Sequence, residues 1–161
     1  FVISGVSMGE FSVGPVTGLP AGIYVKEARF ANADVLGQPL RFSGTVGGSL
    51  EIVLSTRAGQ LDGVALDARS NPVSGARIVL VPERQRNRTD LFKTTSTDST
   101  GRFLIRSIPP GDYRVFGWDV LDSYAYFDHD LLRRVEPQGI QVRVGESAAS
   151  NLTVRIIPSN P

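Results

Sequence analysis

The sequence predicts an all-β protein: a seven-stranded β-sandwich preceded by the second half of another one. Three observations carry this. Apolar and polar residues alternate at period two almost throughout, the pattern of half-buried strands. The 17 Gly and 10 Pro fall between these runs at turn-like intervals. The opening of the chain also repeats a later stretch at a fixed offset.

The clearest strands begin at Gln60. Alternation places them at Gln60–Asp67, Ala76–Pro82, Leu91–Thr97, Arg102–Ile108, Tyr113–Trp118, Gly139–Val144 and Leu152–Ile157. Seven short strands over such a span suit two packed sheets. Asn71-Pro72-Val73-Ser74-Gly75 is a turn cluster. Asp98-Ser99-Thr100-Gly101 offers an Asp side chain to the backbone ahead of it and a Gly for positive φ. It is expected to close a hairpin between Leu91–Thr97 and Arg102–Ile108. Pro109-Pro110-Gly111-Asp112 lacks two N–H groups and turns the chain into a strand opening at Tyr113. From Asp119 to Pro137 the alternation fails. That stretch reads as a long surface excursion, with a short helical turn over Asp128–Arg134 that has acids first and bases last.

Residues 1–13 align without gaps on residues 103–115. Phe1-Val2-Ile3-Ser4-Gly5-Val6 meets Phe103-Leu104-Ile105-Arg106-Ser107-Ile108, and Gly9-Glu10-Phe11 meets Gly111-Asp112-Tyr113. The same offset sets Leu40 and Phe42 on Val142 and Val144, and Leu50, Ile52 and Leu54 on Leu152, Val154 and Ile156. A competing register, Leu19–Tyr24 on Ile108–Tyr113, fails to place the last strand. The division is therefore 1–58, the C-terminal half of a sandwich repeat, and 59–161, a complete one. A strand sets about three large apolar side chains on the core, each worth roughly 1.5–3 kcal/mol when buried. Stripping several strands costs as much as a small domain's whole stability, ~5–15 kcal/mol. Phe11, Tyr24, Phe30 and Phe42 need cover. It comes from polypeptide ahead of Phe1, from the second unit, or from another chain.

Composition narrows function. The 161 residues carry 17 basic and 16 acidic side chains, a formal net charge of +1, so no nucleic-acid footprint is expected. With no Cys, thiolate chemistry and Cys-held zinc are excluded. No apolar run approaches the ~18 residues of a membrane span. The chain opens at Phe1 without a signal peptide, as expected of a piece of something longer.

The blocks Gly63-Val64-Ala65-Leu66-Asp67, Asn71-Pro72-Val73-Ser74-Gly75-Ala76-Arg77-Ile78, Thr97-Asp98-Ser99-Thr100-Gly101-Arg102-Phe103 and Ile108-Pro109-Pro110-Gly111-Asp112-Tyr113 resemble the carboxypeptidase regulatory-like family. The resemblance covers roughly 60–157, with a half-copy over 1–58. It implies a Greek-key sandwich of the transthyretin (prealbumin) or CnaB type, in tandem within bacterial secreted or cell-envelope proteins, periplasmic or outer-membrane associated. The matched positions are turns and core, so no catalytic role follows from them. Related folds that are enzymes need residues absent here. Zinc carboxypeptidases and hydroxyisourate hydrolases need more than one His, intradiol dioxygenases two His and two Tyr, and this chain has one His. The Lys–Asn cross-link of CnaB modules needs a Lys in the first strand, and Gln60–Asp67 has none.

No catalytic residue, metal site or cofactor is therefore expected. The candidate ligand-binding residues are Trp118, Asp119, Tyr124, Tyr126, Asp128 and His129, aromatic faces beside polar groups as in a carbohydrate site. The plainer reading is that Trp118 anchors the excursion while Tyr126 or Phe127 plugs a sheet end. The basic run Arg84–Arg88 reads as a solvated hairpin tip. The leading expectation is a non-catalytic structural or protein-interaction module whose partners are other domains of the parent protein or another chain. The alternative is a carbohydrate-binding module.

Overall fold

A computed structural model describes residues 2–44 and 47–158 of the chain; Phe1, which heads the expected repeat, lies outside them. The first unit holds β1 (Gly9–Phe11), β2 (Tyr24–Phe30), β3 (Ala33–Asp34), β4 (Leu40–Phe42) and β5 (Leu50–Ser55). Residues 59–157 hold β6 (Gly59–Leu66), β7 (Arg77–Pro82), β8 (Lys93–Ser96), β9 (Arg102–Ile108), β10 (Gly111–Trp118), α1 (His129–Val135), β11 (Ile140–Val144) and β12 (Ala149–Ile157). All seven strands expected after residue 59 are present. Leu91 instead closes a 3₁₀ turn over Thr89–Leu91, and β10 opens two residues early, at Gly111.

The second unit forms one hydrogen-bonded path, β8-β7-β10-β12-β6-β9, with β11 on the flank of β10. The path folds at a single corner. There β10 and β12 touch in parallel only at Gly117↔Ile156 and Trp118↔Ile157. On one side of the corner β8, β7, β10 and β11 run antiparallel; on the other, β9 and β12 flank β6, with β12 parallel to it. Leu61 and Ala65 of β6, Ile78 and Leu80 of β7, Phe103, Ile105 and Ile108 of β9, Tyr113 and Val115 of β10 and Val154 of β12 fill the space between. The result is a sandwich-like fold.

One expectation needs correction. Asp98–Gly101 forms its turn, but not a hairpin: β8 pairs with β7, and β9 pairs with β6. The turn carries the chain from one sheet to the other, so that the apolar faces of both sheets look inward. The excursion after Trp118 runs on the surface as expected, with α1 as its helical turn. It folds back over the outer face of β7 and β10, where Leu132 and Val135 of α1 are buried against Val79, Val81, Phe116 and Trp118. With both faces covered, β7 is buried from Ile78 to Pro82.

In the first unit, β2 pairs with β3 and β5 in a three-stranded sheet, while β1 and β4 form a two-stranded ribbon. The ribbon's register is Gly9↔Phe42, Glu10↔Arg41, Phe11↔Leu40. The β10–β11 ladder contains Gly111↔Val144, Asp112↔Arg143 and Tyr113↔Val142. Gly9 to Gly111 is a step of 102, and that step carries all three ribbon pairs onto the ladder. The facing charges recur too, as Arg41–Glu10 at 2.7 Å and Arg143–Asp112 at 3.9 Å. The β2–β3 hairpin stands where the second unit has its helical excursion. Residues 2–7, aligned with β9, are not in a strand.

Candidate functional site

The four motif blocks interlock, and each side chain has a mechanical task. Thr97, 6% exposed, donates its hydroxyl proton to the Val73 carbonyl at 2.6 Å and accepts from the Ala76 N–H at 2.9 Å. It thereby staples the Asn71–Ala76 turn to the end of β8. Asp98 Oδ1 accepts from the Thr100 N–H, the Thr100 hydroxyl and the Arg102 N–H, holding the arch between the sheets. Asp67 Oδ1 does the same for the Arg69 and Asn71 N–H groups. These bonds favour the ionised form and hold both carboxyls below their usual range; for Asp98 the Thr100 hydroxyl contributes most, for Asp67 the Asn71 backbone N–H.

The Pro-Pro-Gly-x-Tyr block works as a corner. The Tyr113 hydroxyl, buried with its ring, donates to the Pro109 carbonyl at 2.8 Å. Burial drives its pKa well upward. The ring crosses Gly111, where a Cβ would sit 3.2 Å from Cε2. Phe11 crosses Gly9 in the same way, with 3.4 Å to the corresponding carbon. Gly63 answers a tighter demand: a Cβ there would lie 2.0 Å from the Leu152 carbonyl oxygen across the β6–β12 pair.

The excursion gathers the expected ligand residues but divides them. Trp118 is 3% exposed, its indole stacked on Phe116 with centroids 5.4 Å apart. It is the anchor of the excursion and offers no face to solvent. Tyr126 and Phe127 are half-buried against Phe92, at 6.4 and 4.8 Å. Asp128 caps α1, accepting from the Asp130 and Leu131 N–H groups, and the first of these bonds leads in lowering its pKa. Asp119 Oδ1 accepts from the Val120 N–H. His129 is exposed on the first turn. Tyr124 alone among the aromatics stands out, 72% exposed with φ +69, its ring nearly parallel to that of Phe127 at 6.4 Å. Among the described residues, no group of three or more His, Asp or Glu gathers as a metal set.

A second feature, not foreseen from the sequence, lies where the two units meet. The Gly22 N–H donates to Ser107 Oγ at 2.8 Å, Asn87 Nδ2 donates to the Gly37 carbonyl at 2.7 Å, and Arg57 pairs with Glu146 at 2.9 Å. Tyr24, 8% exposed, is buried at this junction beside an open cleft of about 470 Å³ that Arg84, Arg88 and Tyr113 also line. The basic run is largely spent: Arg88 pairs with Asp90 at 2.6 Å and Arg86 with Glu136 at 3.8 Å. Lys93 is half-buried, and burial lowers its pKa against a smaller opposing effect of Asp90.

Residues 60–118 match the family model of the carboxypeptidase regulatory-like domain. The match ends at Trp118, so the helical excursion lies beyond it. No match was found among curated proteins. Among solved structures, the chain is similar to BcpA, the major pilin subunit of Bacillus cereus, at 18% identity and TM-score 0.42, over 69% of this chain and 33% of that one. It is similar to GBS52, the minor pilin of Streptococcus agalactiae, at 18% identity and TM-score 0.42, over 91% of this chain and 64% of that one. It also resembles the dioxygenase domain of a dioxygenase–carbohydrate-binding protein fusion from Streptomyces sp. SirexAA-E, at 9% identity and TM-score 0.37, over 62% of this chain and 80% of that one. The chain thus spans a third of the BcpA structure and less than two thirds of GBS52.

Proposed function

We propose that the chain is a non-catalytic structural and protein-interaction module of a larger secreted or cell-envelope protein, a seven-stranded Greek-key regulatory-like sandwich preceded by the closing half of another. One observation carries the reading: the β1–β4 ribbon repeats the β10–β11 ladder pair for pair at a step of 102. Concatenated copies of one sandwich make a spacer, and what a spacer presents to others is its strand edges and its junctions. The motif side chains fit this, because Thr97, Asp98 and Tyr113 spend their hydrogen bonds inside the domain.

Tyr124 favours a second reading. An exposed aromatic face, with exposed Asp119 and Asp122 close in sequence, is the material of a carbohydrate platform. A pull-down on insoluble polysaccharides, with a glycan array, separates the two. The structural reading expects no retention. Retention lost in Tyr124→Ala, with circular dichroism unchanged, would overturn it in favour of carbohydrate binding.

A further inference from the structure

We propose that the free edge of β1 receives an antiparallel strand of the β7 kind, supplied in line by polypeptide ahead of residue 1, which begins the closure of residues 1–58 into a second sandwich. The inference rests on the half-copy reading above. In the regulatory-like domain β10 has two neighbours, β11 on one side and β7 on the other, the latter paired Tyr113↔Pro82, Arg114↔Val81, Val115↔Leu80 and Phe116↔Val79. In the first unit β4 takes the place of β11, and among the described residues no strand takes the place of β7.

Exposure marks what is missing. Tyr113 is 2% exposed; Phe11, one step of 102 earlier, is 40% exposed. The chemistry of the occupant follows from the strand that pairs with β10 at Tyr113 and shares its core through Ile78 and Leu80. It is an extended strand with apolar side chains on both faces, as in Arg-Ile-Val-Leu-Val-Pro of β7. Carrying the β10–β7 pairs back by 102 assigns Phe11, Ser12, Val13 and Gly14 to the new ladder. Pro15, which has no N–H to give, ends it.

The in-line source follows from strand order. β7 precedes β10 in the domain, so its counterpart precedes β1, and a tethered strand meets its edge at high effective concentration. A free edge flanked by apolar side chains otherwise invites pairing with whatever strand arrives.

The test is a fusion. Residues 59–102 of this chain, which contain β6, β7 and β8, are joined directly ahead of residue 1, recreating the spacing by which Arg102 precedes Phe103. Hydrogen exchange at Phe11–Gly14 is expected to slow at least ~100-fold relative to the unfused chain. The same fusion carrying Ile78→Asp and Leu80→Asp in the added copy is expected to give no protection. Unchanged exchange at Phe11–Gly14, with Trp118 emission showing the resident domain folded, would overturn the proposal. So would an unfused chain that sediments as a dimer with those amides already protected, since a second copy would then be the occupant. Protection by the same segment added as a separate peptide, but not by the fusion, would overturn the in-line source. Cross-strand proton contacts between Gly9 and Phe42 report the half-copy reading separately. If they persist without protection, only the present inference falls.

Discussion

Replacing Thr97 with Val keeps the shape of a buried side chain and removes its hydroxyl. That hydroxyl serves two backbone groups, the Val73 carbonyl at 2.6 Å and the Ala76 N–H at 2.9 Å. Ala76 is fully buried, so no water replaces the lost acceptor, and an unpaired buried N–H costs about 1–3 kcal/mol. Val73 is half-buried, and its carbonyl recovers part of its loss from solvent, leaving about 0.5–1 kcal/mol. The sum is about 1.5–4 kcal/mol, a drop of roughly 3–16 °C in Tm for a chain of this size. Thr97→Ser is the control: it keeps both bonds and removes one methyl, about 0.8 kcal/mol. Urea unfolding followed by Trp118 emission and by far-ultraviolet circular dichroism reads both variants. The reasoning fails if Val lies within about 0.5 kcal/mol of wild type, or if Ser falls as far as Val.

Gly63→Ala places a methyl 2.0 Å from the Leu152 carbonyl oxygen. The β6–β12 pair must spread, and the loss should reach the upper end of the ~1–3 kcal/mol typical of overpacking; a urea midpoint equal to wild type would refute the close approach. Leu132→Ala removes the most buried side chain of α1 from the cluster that holds Trp118 and should cost about 2–5 kcal/mol while shifting Trp118 emission to the red. No shift would mean that α1 does not cover the indole. Asp67, Asp98 and Asp128 all have pKa values lowered by hydrogen bonds to their ionised forms. A depressed native pKa adds stability that is complete above the unfolded value of ~3.9 and is lost as pH falls through the native values. Urea midpoints taken from about pH 6 down to about pH 2 should therefore fall on the acid side, and Asp98→Asn should flatten part of that fall. A curve with the same slope in Asp98→Asn would remove Asp98 from the account.

The strands were legible because their signal is local. Period-two alternation at Arg102–Ile108 gives β9 to the residue, and Gly and Pro bound the rest within two or three positions. Pairing is not local. Asp98-Ser99-Thr100-Gly101 has the same chemistry whether it closes a hairpin or an arch, because the Asp98 side chain bonds only to Thr100 and Arg102 just ahead of it. What decides is where the apolar faces of β8 and β9 must point, and that depends on β6 and β7. The packing of the excursion did leave a trace in the sequence. Ile78-Val79-Leu80-Val81 is a continuous apolar run, the mark of a strand covered on both faces, whereas a sandwich strand with one solvated face alternates. Something had to cover Val79 and Val81, and the only long segment between β10 and β11 was the one with Leu131, Leu132 and Val135.

The same logic bears on the candidate site. Trp118 and Tyr124 are equally aromatic in sequence, and only their place relative to β10 separates them. Trp118 is the last residue of the strand and shares a face with Phe116, so its indole goes to the covered side. Tyr124 sits in a left-handed turn, where the backbone is held by the next 3₁₀ turn and the ring projects from the surface. The junction between the units was harder still to foresee, since Ser107 and Gly22 are 85 residues apart. Yet the repeat supplies a guide that single-strand reasoning lacks. On the proposed half-copy reading, Phe11, 40% exposed against 2% for Tyr113 one step of 102 later, marks the place of a missing strand. On that reading the exposure of Phe11 follows from an absent neighbour, because Tyr113 packs with Ile78 and Leu80 of the strand beside it.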